Sequence, residues 1–266
     1  MRIALGLEYN GAFFCGWQSQ PSGQAVQDAL SGALSTVAAT KIWPIAAGRT
    51  DAGVHAFLQI VHYDTNVKRP LTAWVRGANA MLPKSMAVLW AKEVPEDFHA
   101  RFSAQARTYH YFLLNRMARP GLEHQRVGWI CRPLSLEAMQ KGVSFFCGTH
   151  DFSSFRSSEC QAKSAVRTVF SFEVLKKDDL FVFKVKANAF LHRMVRNMVA
   201  ALAMVGLGKQ PPAWIGELLE AKNNSFSLPT ASPFGLYLAA IDYEPFWQLP
   251  NLSFRYDTDQ DLRFNQ

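Results

Sequence analysis

The feature that most constrains this chain is the segment at residues 48–56, which reads Gly-Arg-Thr-Asp-Ala-Gly-Val-His-Ala. Arg49 and Asp51 stand two residues apart in a turn bracketed by glycines, between the apolar stretches 42–47 and 57–63. Such stretches predict buried strands, so the charged pair lies on the connection between two strands. Loops held by a rigid sheet often carry catalytic groups. The alternative is an aspartate that only hydrogen-bonds the backbone of its own turn.

The charge of the chain favours a polyanionic partner, nucleic acid before membrane. The net charge is +7 and the sequence pI is about 9.3, which is typical of proteins that bind phosphates. No run of like charge reaches five residues. We therefore expect the basic groups to be brought together by folding rather than carried on a tail.

Hydropathy and cysteine usage point to a soluble, cytoplasmic protein. Charged residues interrupt the most apolar stretch, 187–207, which excludes a transmembrane helix there. Glu8 follows only a few apolar residues, so we expect no signal peptide. The four cysteines form no Cys-x-x-Cys pair, which argues against a zinc site and is typical of reduced cytosolic thiols.

Hydrophobic periodicity predicts an α+β fold in two related halves, each with helices packed against a mostly antiparallel sheet. We place the halves at 1–103 and 104–245, followed by an irregular tail at 246–266. The first half is predicted to run β-α-β-β-α-β, with a strand at 3–9, a helix at 25–37, the two strands around Asp51, a helix at 71–81 and a strand at 87–94. In the second half, strands are predicted at 101–114, 166–175, 180–187 and 236–243, and helices at 136–146, 190–205 and 213–221.

Three groups of side chains could carry chemistry. A metal shared by Asp51, His55 and His62 is disfavoured, because the odd spacing of the histidines points them to opposite faces of a strand. We expect His55 to bond to backbone instead. Next, if the predicted strand at 101–114 is unbroken, one of its faces combines arginines with aromatic rings: Arg101, Arg107, Tyr109 and Tyr111. Such a face suits RNA, although it could equally be an amphipathic strand with solvated arginines.

The third group is a pair of arginines, Arg193 and Arg196, on the otherwise apolar helix predicted at 190–205. They lie three residues apart and are neighbours on its surface. A guanidinium on a mostly buried helix needs a carboxylate, phosphate or carbonyl partner. Only one of the two needs to face inward.

Taken in order, these segments resemble the tRNA pseudouridine synthase A family over about nine-tenths of the chain. The resemblance rests on 5–11 and 16–20, on Ala-Gly-Arg-Thr-Asp-Ala-Gly-Val-His-Ala at 47–56, and on Phe-His-Ala-Arg-Phe-Ser-Ala at 98–104. It continues through Asp-Phe-Ser-Ser-Phe at 151–155, the segment 186–197 and Gly-Leu-Tyr-Leu at 235–238. Together these motifs are highly specific, whereas a lone Arg-Thr-Asp would be weak.

The resemblance implies isomerisation of uridine to pseudouridine at positions 38, 39 and 40 in the anticodon stem-loop of tRNA. It implies a pseudouridine synthase fold with the two related halves around a central cleft. It also implies a homodimer that holds tRNA with both subunits and needs no cofactor or metal. Asp51 would be the catalytic carboxylate and Arg196 its partner, while Tyr109 would stack on the uracil and could relay its C5 proton. Arg49 would fill the space left by the flipped nucleotide. The residues implied to contact RNA are Phe98, His99, Ala100, Arg101, Phe102, Arg69, Gln161 and Lys163.

The chemistry of that reaction accounts for the residue types. The bond from C1′ to N1 breaks and uracil rejoins through C5, either after a carboxylate attacks C1′ or after it removes the 2′ proton. Both routes need an ionised Asp51, which a neighbouring arginine favours and orients. Two rivals are a tRNA-binding protein without catalysis and a glycosidic-bond hydrolase, although hydrolases usually pair two carboxylates.

Overall fold

One mixed sheet forms the frame of the protein in the computed structural model, which describes residues 1–223 and 229–250. Its main path of eight strands runs β4-β1-β3-β10-β5-β9-β8-β7, with short strands β2 and β6 attached to β3 and β5. The strands are β1 (Arg2–Tyr9), β2 (Ile45–Ala46), β3 (His55–Asp64), β4 (Met86–Val94), β5 (Ala104–Leu114), β6 (Gly128–Trp129), β7 (Gly148–Asp151), β8 (Val166–Lys177), β9 (Leu180–Ala187) and β10 (Leu236–Tyr243). The helices are α1 (Val26–Ala38), α2 (Leu71–Met81), α3 (Leu136–Val143), α4 (Met194–Gly206) and α5 (Trp214–Ala221).

The first half follows the predicted β-α-β-β-α-β order. Asp28 begins α1 by accepting a hydrogen bond from the Ala25 amide at 3.2 Å, and Ala39 ends it in the left-handed conformation. β1 pairs antiparallel with both β3 and β4. Helices α1 and α2 pack on each other, and α2 packs on β4. The apolar pattern sufficed here because α1 and α2 bury one face, while β1 and β3 are almost continuously apolar and are buried on both faces.

The second half also follows its predicted element order, with α3 packed against α4 and β8. Ser135 caps α3 by accepting a hydrogen bond from the Ala138 amide at 3.2 Å. β5, β9 and β8 form an antiparallel series. The α+β fold is therefore confirmed.

The two halves share one sheet because the last strand returns to its centre. β10 pairs parallel with β3 on one side and antiparallel with β5 on the other. Leu238 and Ala239 of β10 are fully buried, and a single large core of buried side chains runs through both halves. This return brings the Asp51 connection of the first half beside the elements of the second.

Some predicted elements begin later than expected. The strand predicted at 101–114 begins at Ala104, because residues 99–103 form a turn. The helix predicted at 190–205 begins at Met194, after Arg193 adopts a left-handed backbone with φ 62°. Trp247, at the start of the tail predicted at 246–266, is buried, and its ring meets that of Phe98 at 5.2 Å. Residues 251–266 lie outside the described residues.

None of the helices in the described parts of the chain is long and apolar enough to cross a membrane.

Candidate active site

Asp51 lies on the connection between β2 and β3, and several hydrogen bonds fix the backbone of this connection. The Trp17 amide donates to the Thr50 carbonyl at 2.9 Å, and the Thr50 hydroxyl bonds the buried Tyr9 hydroxyl at 2.8 Å. The Gln59 side chain donates to the Gly48 carbonyl at 2.7 Å. These contacts act on the residues just before Asp51 and fix the backbone that leads into it.

Gly53 and His55 complete this support. Gly53 has φ 80°, and a Cβ added there would lie 2.9 Å from the ring of Phe234, so both the backbone and the space require glycine. His55 accepts a hydrogen bond from the Gly11 amide through Nδ1 at 3.0 Å. Its Nε2 therefore carries the proton and donates to the Phe234 carbonyl at 3.0 Å. His55 thus bonds to backbone, as expected from the sequence.

Arg196 brings the second half of the chain onto the Asp51 carboxylate. It lies in the first turn of α4 and donates from a terminal guanidinium nitrogen to Asp51 Oδ2 at 2.9 Å. Its Nε donates to the Ala231 carbonyl at 2.8 Å, which holds the guanidinium plane. The Arg196 side chain is only 12% exposed, against 25% for Asp51. The carboxylate is therefore oriented from the protein side and open on the other.

Arg193 behaves differently from its neighbour. It is exposed and lies 3.7 Å from the Glu159 carboxylate, whereas Arg196 faces inward. The requirement that only one of the two arginines face inward is met, and Arg196 is that one.

The sequence analysis missed His192. Its Nε2 lies 3.3 Å from Asp51 Oδ1, the carboxylate oxygen that Arg196 does not bond. His192 precedes α4, and its carbonyl accepts a hydrogen bond from the Ser157 amide at 3.0 Å. The one signal in the sequence was its place inside the apolar segment 187–207, where a polar side chain needs a partner.

Tyr109 stands on β5, at the centre of the sheet between β10 and β9. It is 8% exposed, and its ring meets that of Phe190 edge-on at 5.1 Å. Burial raises the pKa of Tyr109, and the nearby Tyr9 and Asp51 raise it further. Its hydroxyl therefore keeps its proton at neutral pH.

The turn between β4 and β5 exposes only part of the RNA-binding segment expected at 98–102. Phe98 and Ala100 are fully buried, so their side chains cannot meet RNA and support the turn instead. Phe102 is 76% exposed, with the Arg101 guanidinium 5.6 Å from its ring centre. The rings of His99 and Phe102 lie 4.3 Å apart. The expected strip is thereby reduced to one surface cluster of His99, Arg101 and Phe102.

Buried backbone contacts hold this turn. His62 accepts a hydrogen bond from the Ala100 amide through Nδ1 at 3.1 Å. The Tyr243 hydroxyl donates to the Ala100 carbonyl at 2.6 Å. Because His62 is committed to this turn and His55 to Gly11 and Phe234, the two histidines serve separate regions.

Arg107 does not belong to an RNA-binding face of β5, as one reading of the sequence predicted. Its guanidinium donates to four backbone carbonyls, at distances from 2.7 to 3.2 Å: Ala47, Arg101, Ala104 and Asn188. It is therefore neither a phosphate ligand nor a solvated side chain. Arg101 lies in the turn before β5 and shares no strand face with Arg107. Arg107 instead ties the Asp51 connection to the turn at residues 99–103.

The remaining expected RNA contacts are exposed. Arg49 lies two residues from Asp51, and Arg69 precedes α2. Gln161 and Lys163 lie on the loop before β8, the loop that Arg193 meets through Glu159. Within residues 1–223 and 229–250, no three His, Cys, Asp or Glu side chains are grouped closely enough to hold a metal ion.

This arrangement defines a class of protein. One carboxylate is held by an arginine between the two halves of an α+β fold, and exposed basic and aromatic side chains flank it. Such a site suits an enzyme that acts on a nucleotide of a nucleic acid. The sequence profile of the tRNA pseudouridine synthase family matches residues 5–103 and 143–244. The chain belongs to this family, and with it to the isomerases that form pseudouridine in tRNA.

Curated relatives agree over almost the whole chain. A tRNA pseudouridine synthase A from Dechloromonas aromatica is 55% identical, over 94% of this chain and 96% of its own length. One from Nitrosomonas eutropha is 54% identical, over 95% of this chain and 91% of its own. One from Nitrosomonas europaea is 52% identical, over 94% and 92% respectively.

Proposed function

We propose that this enzyme converts uridine to pseudouridine at positions 38, 39 and 40 in the anticodon stem-loop of tRNA, with Asp51 as its catalytic carboxylate. The observation that carries the assignment of Asp51 is its contact with Arg196 at 2.9 Å across 145 residues of sequence. The contact leaves one face of the carboxylate open beside the exposed Arg49.

Arg196 supports the reaction by holding the Asp51 carboxylate in one orientation. The second bond of Arg196, to the Ala231 carbonyl, limits the rotation of its guanidinium. Asp51 then attacks C1′, or removes the 2′ proton, as the C1′–N1 bond breaks. Uracil rotates and rejoins through C5, so the reaction needs no redox partner and we assign no cofactor.

Arg49, Tyr109 and the surface side chains hold the RNA. Arg49 fills the place of the flipped nucleotide, which offsets part of an unstacking cost of a few kcal/mol. Tyr109 stacks on the uracil. The exposed Arg101 and Phe102, with the half-buried His99 beside them, offer a cation and rings to phosphates and unpaired bases. Arg69, Gln161 and Lys163 add contacts along the backbone, and all three are exposed.

We assign a homodimer, a cytoplasmic location and the division at residue 103 from the resemblance and the sequence pattern. A dimer lets one subunit hold the body of the tRNA while the other acts on the stem-loop. Light scattering on the purified chain, alone and with tRNA, tests the dimer. A monomer in both samples would remove this part of the proposal.

The experiment that tests the function is pseudouridine mapping on an unmodified tRNA transcript, with wild type and Asp51→Asn in parallel. Pseudouridine at positions 38–40 with wild type alone is the expected result, because an amide can neither attack C1′ nor take a proton. The control is tRNA binding, which Asp51→Asn should retain.

Other outcomes identify the rival functions. Binding of the transcript by wild type with no pseudouridine would indicate a tRNA-binding protein without catalysis. Free uracil in the reaction would indicate a hydrolase that does not rejoin the base. Pseudouridine at other positions would support the assigned reaction and change the assigned positions in tRNA.

A further inference from the structure

The side chain of His192 stands beside the open part of the carboxylate. Its Nε2 is 3.3 Å from Asp51 Oδ1, while Arg196 occupies Oδ2. Both the imidazole, 32% exposed, and the carboxylate, 25% exposed, are reachable from solvent. A nucleotide that reaches Oδ1 therefore also reaches His192.

The backbone holds His192 in this place. Its carbonyl accepts from the Ser157 amide at 3.0 Å, and the Met194 amide donates to the Leu191 carbonyl at 3.0 Å. Leu191 is buried, and the left-handed backbone of Arg193 follows. This turn lets two groups of one segment, His192 and Arg196, contact the two oxygens of the same carboxylate.

The reaction needs a proton acceptor at C5. After the C1′–C5 bond forms, C5 still carries its hydrogen, while N1 has lost its bond to C1′. C5 must lose a proton and N1 must gain one, so the net proton change is zero. In the product, C5 is bonded to C1′ and occupies the place that N1 left. The acceptor must therefore lie close to the group that acts at C1′ or at the adjacent 2′ position.

Of the groups near Asp51, His192 suits this step better than Tyr109. A phenol must be ionised to accept a proton, and burial raises the pKa of Tyr109 well above its usual value. Imidazole carries a free lone pair near neutral pH and is the side chain most often used for proton transfer. Tyr109 is left with the stacking role.

We propose that His192 is the base that removes the C5 proton once uracil has rejoined C1′. The inference rests on the proposed function. The free lone pair of the imidazole forms the new N–H bond, the C5–H electrons return to the uracil ring, and N1 takes a proton from solvent. His192 then releases its proton to solvent, which restores the starting state.

Single-turnover kinetics on tRNA carrying deuterium at C5 of uridine test this role. His192→Leu is expected to slow pseudouridine formation by roughly 10²- to 10⁴-fold, the usual share of general acid–base catalysis. It should also produce a primary deuterium isotope effect larger than that of wild type, because C5 deprotonation becomes the slow step. The affinity for tRNA should stay the same.

Two further variants keep the test independent of folding. In His192→Gly, added imidazole should restore part of the rate and lower the isotope effect again. The matched control is His150→Leu, which should keep the wild-type rate. The His150 ring bonds the Cys147 carbonyl at 2.8 Å and makes no contact with Asp51.

Three results would overturn the inference. One is a wild-type rate in His192→Leu. Another is a slow His192→Leu without any change in isotope effect, and the third is a full rate in His192→Gln, which cannot accept the proton. Each of these leaves wild type active, whereas failure of the proposed function appears as wild type without pseudouridine.

Discussion

Two regions of the site, the Asp51 connection and the turn at residues 99–103, are supported in the same way but differ in the exposure of their side chains. Each is held by a buried histidine that accepts a hydrogen bond from a backbone amide: His55 from Gly11 and His62 from Ala100. In the first region, the Asp51 carboxylate is bonded by Arg196. In the second, Phe102 is 76% exposed. The first region holds a carboxylate in one orientation, whereas the second leaves the Arg101 and Phe102 side chains exposed.

Orienting a carboxylate and binding a polymer need different surroundings. A carboxylate must be held in one orientation for chemistry, and protein contacts do so at the cost of shielding it from solvent. Rings and cations that bind a polymer need exposure and tolerate motion. Arg107 joins the regions by donating to both the Ala47 and the Arg101 carbonyls. The two regions are therefore neighbours that differ in how exposed their side chains are.

The largest expected effect separates catalysis from binding. Arg196→Gln should lower the single-turnover rate by roughly 10²- to 10³-fold, the usual loss when one fixed charged or polar group leaves a catalytic site. tRNA affinity should change little, because Arg196 is 12% exposed and faces Asp51. The control is Arg76→Gln, an exposed arginine on α2. A loss of binding equal to the loss of rate would contradict the comparison.

Acid should weaken the support of both regions together. Burial lowers the pKa of His55 and of His62 to about 4, against about 6.5 in an unfolded chain. Below pH 6.5 the unfolded chain therefore binds protons that the folded protein does not, and stability falls until about pH 4. From pH 7 to pH 5 the free energy of unfolding should drop by about 2 kcal/mol per histidine.

Urea unfolding at pH 7 and at pH 5 measures this change. In His62→Asn, which can still accept from the Ala100 amide, the decrease should be smaller by the share of one histidine. A decrease of unchanged size would show that His62 titrates normally in the folded protein.

A smaller effect is expected at the exposed turn. Phe102→Ala should weaken tRNA binding by about 1–3 kcal/mol, the usual contribution of one ring stacked on a base. The rate at saturating tRNA should stay at the wild-type value, since the ring lies outside the carboxylate's contacts. Filter binding and single-turnover assays on the same preparation measure both. Phe246→Ala, another exposed phenylalanine, is the control.

The smallest effect concerns salt. The affinity for tRNA should fall as salt rises, by about 0.7–0.9 log units per neutralised phosphate for each log unit of salt. Arg101→Gln should reduce that slope by about one phosphate contact. An identical slope in Arg101→Gln would mean that the guanidinium serves only the ring of Phe102. An affinity independent of salt in wild type would remove the polyanion argument.

Much of the fold could be predicted because the regular elements bury periodic apolar faces. The predicted helix at 71–81 and the strands at 180–187 and 236–243 match α2, β9 and β10 residue for residue. The errors fall where local pattern and tertiary contact disagree. Arg193 takes a left-handed backbone that its apolar neighbours do not predict.

Side-chain direction around the site was harder to predict. Phe98 belongs to a motif that suits RNA, yet it is fully buried among Tyr243 and Trp247. Arg107 alternates correctly with the rings of β5 but turns toward four carbonyls. Neither outcome has a local signal, because both depend on segments far away in the chain.

The α+β elements, the family and the pairing of Asp51 with Arg196 were available from the sequence, since periodicity and motif residues are local properties. The place of β10 between β3 and β5, and the contact of His192 with the other Asp51 oxygen, became visible only in the folded protein. Distance along the chain explains this division. Contacts between residues more than a hundred positions apart arise when buried faces pack together, and no local pattern records which side chains then meet.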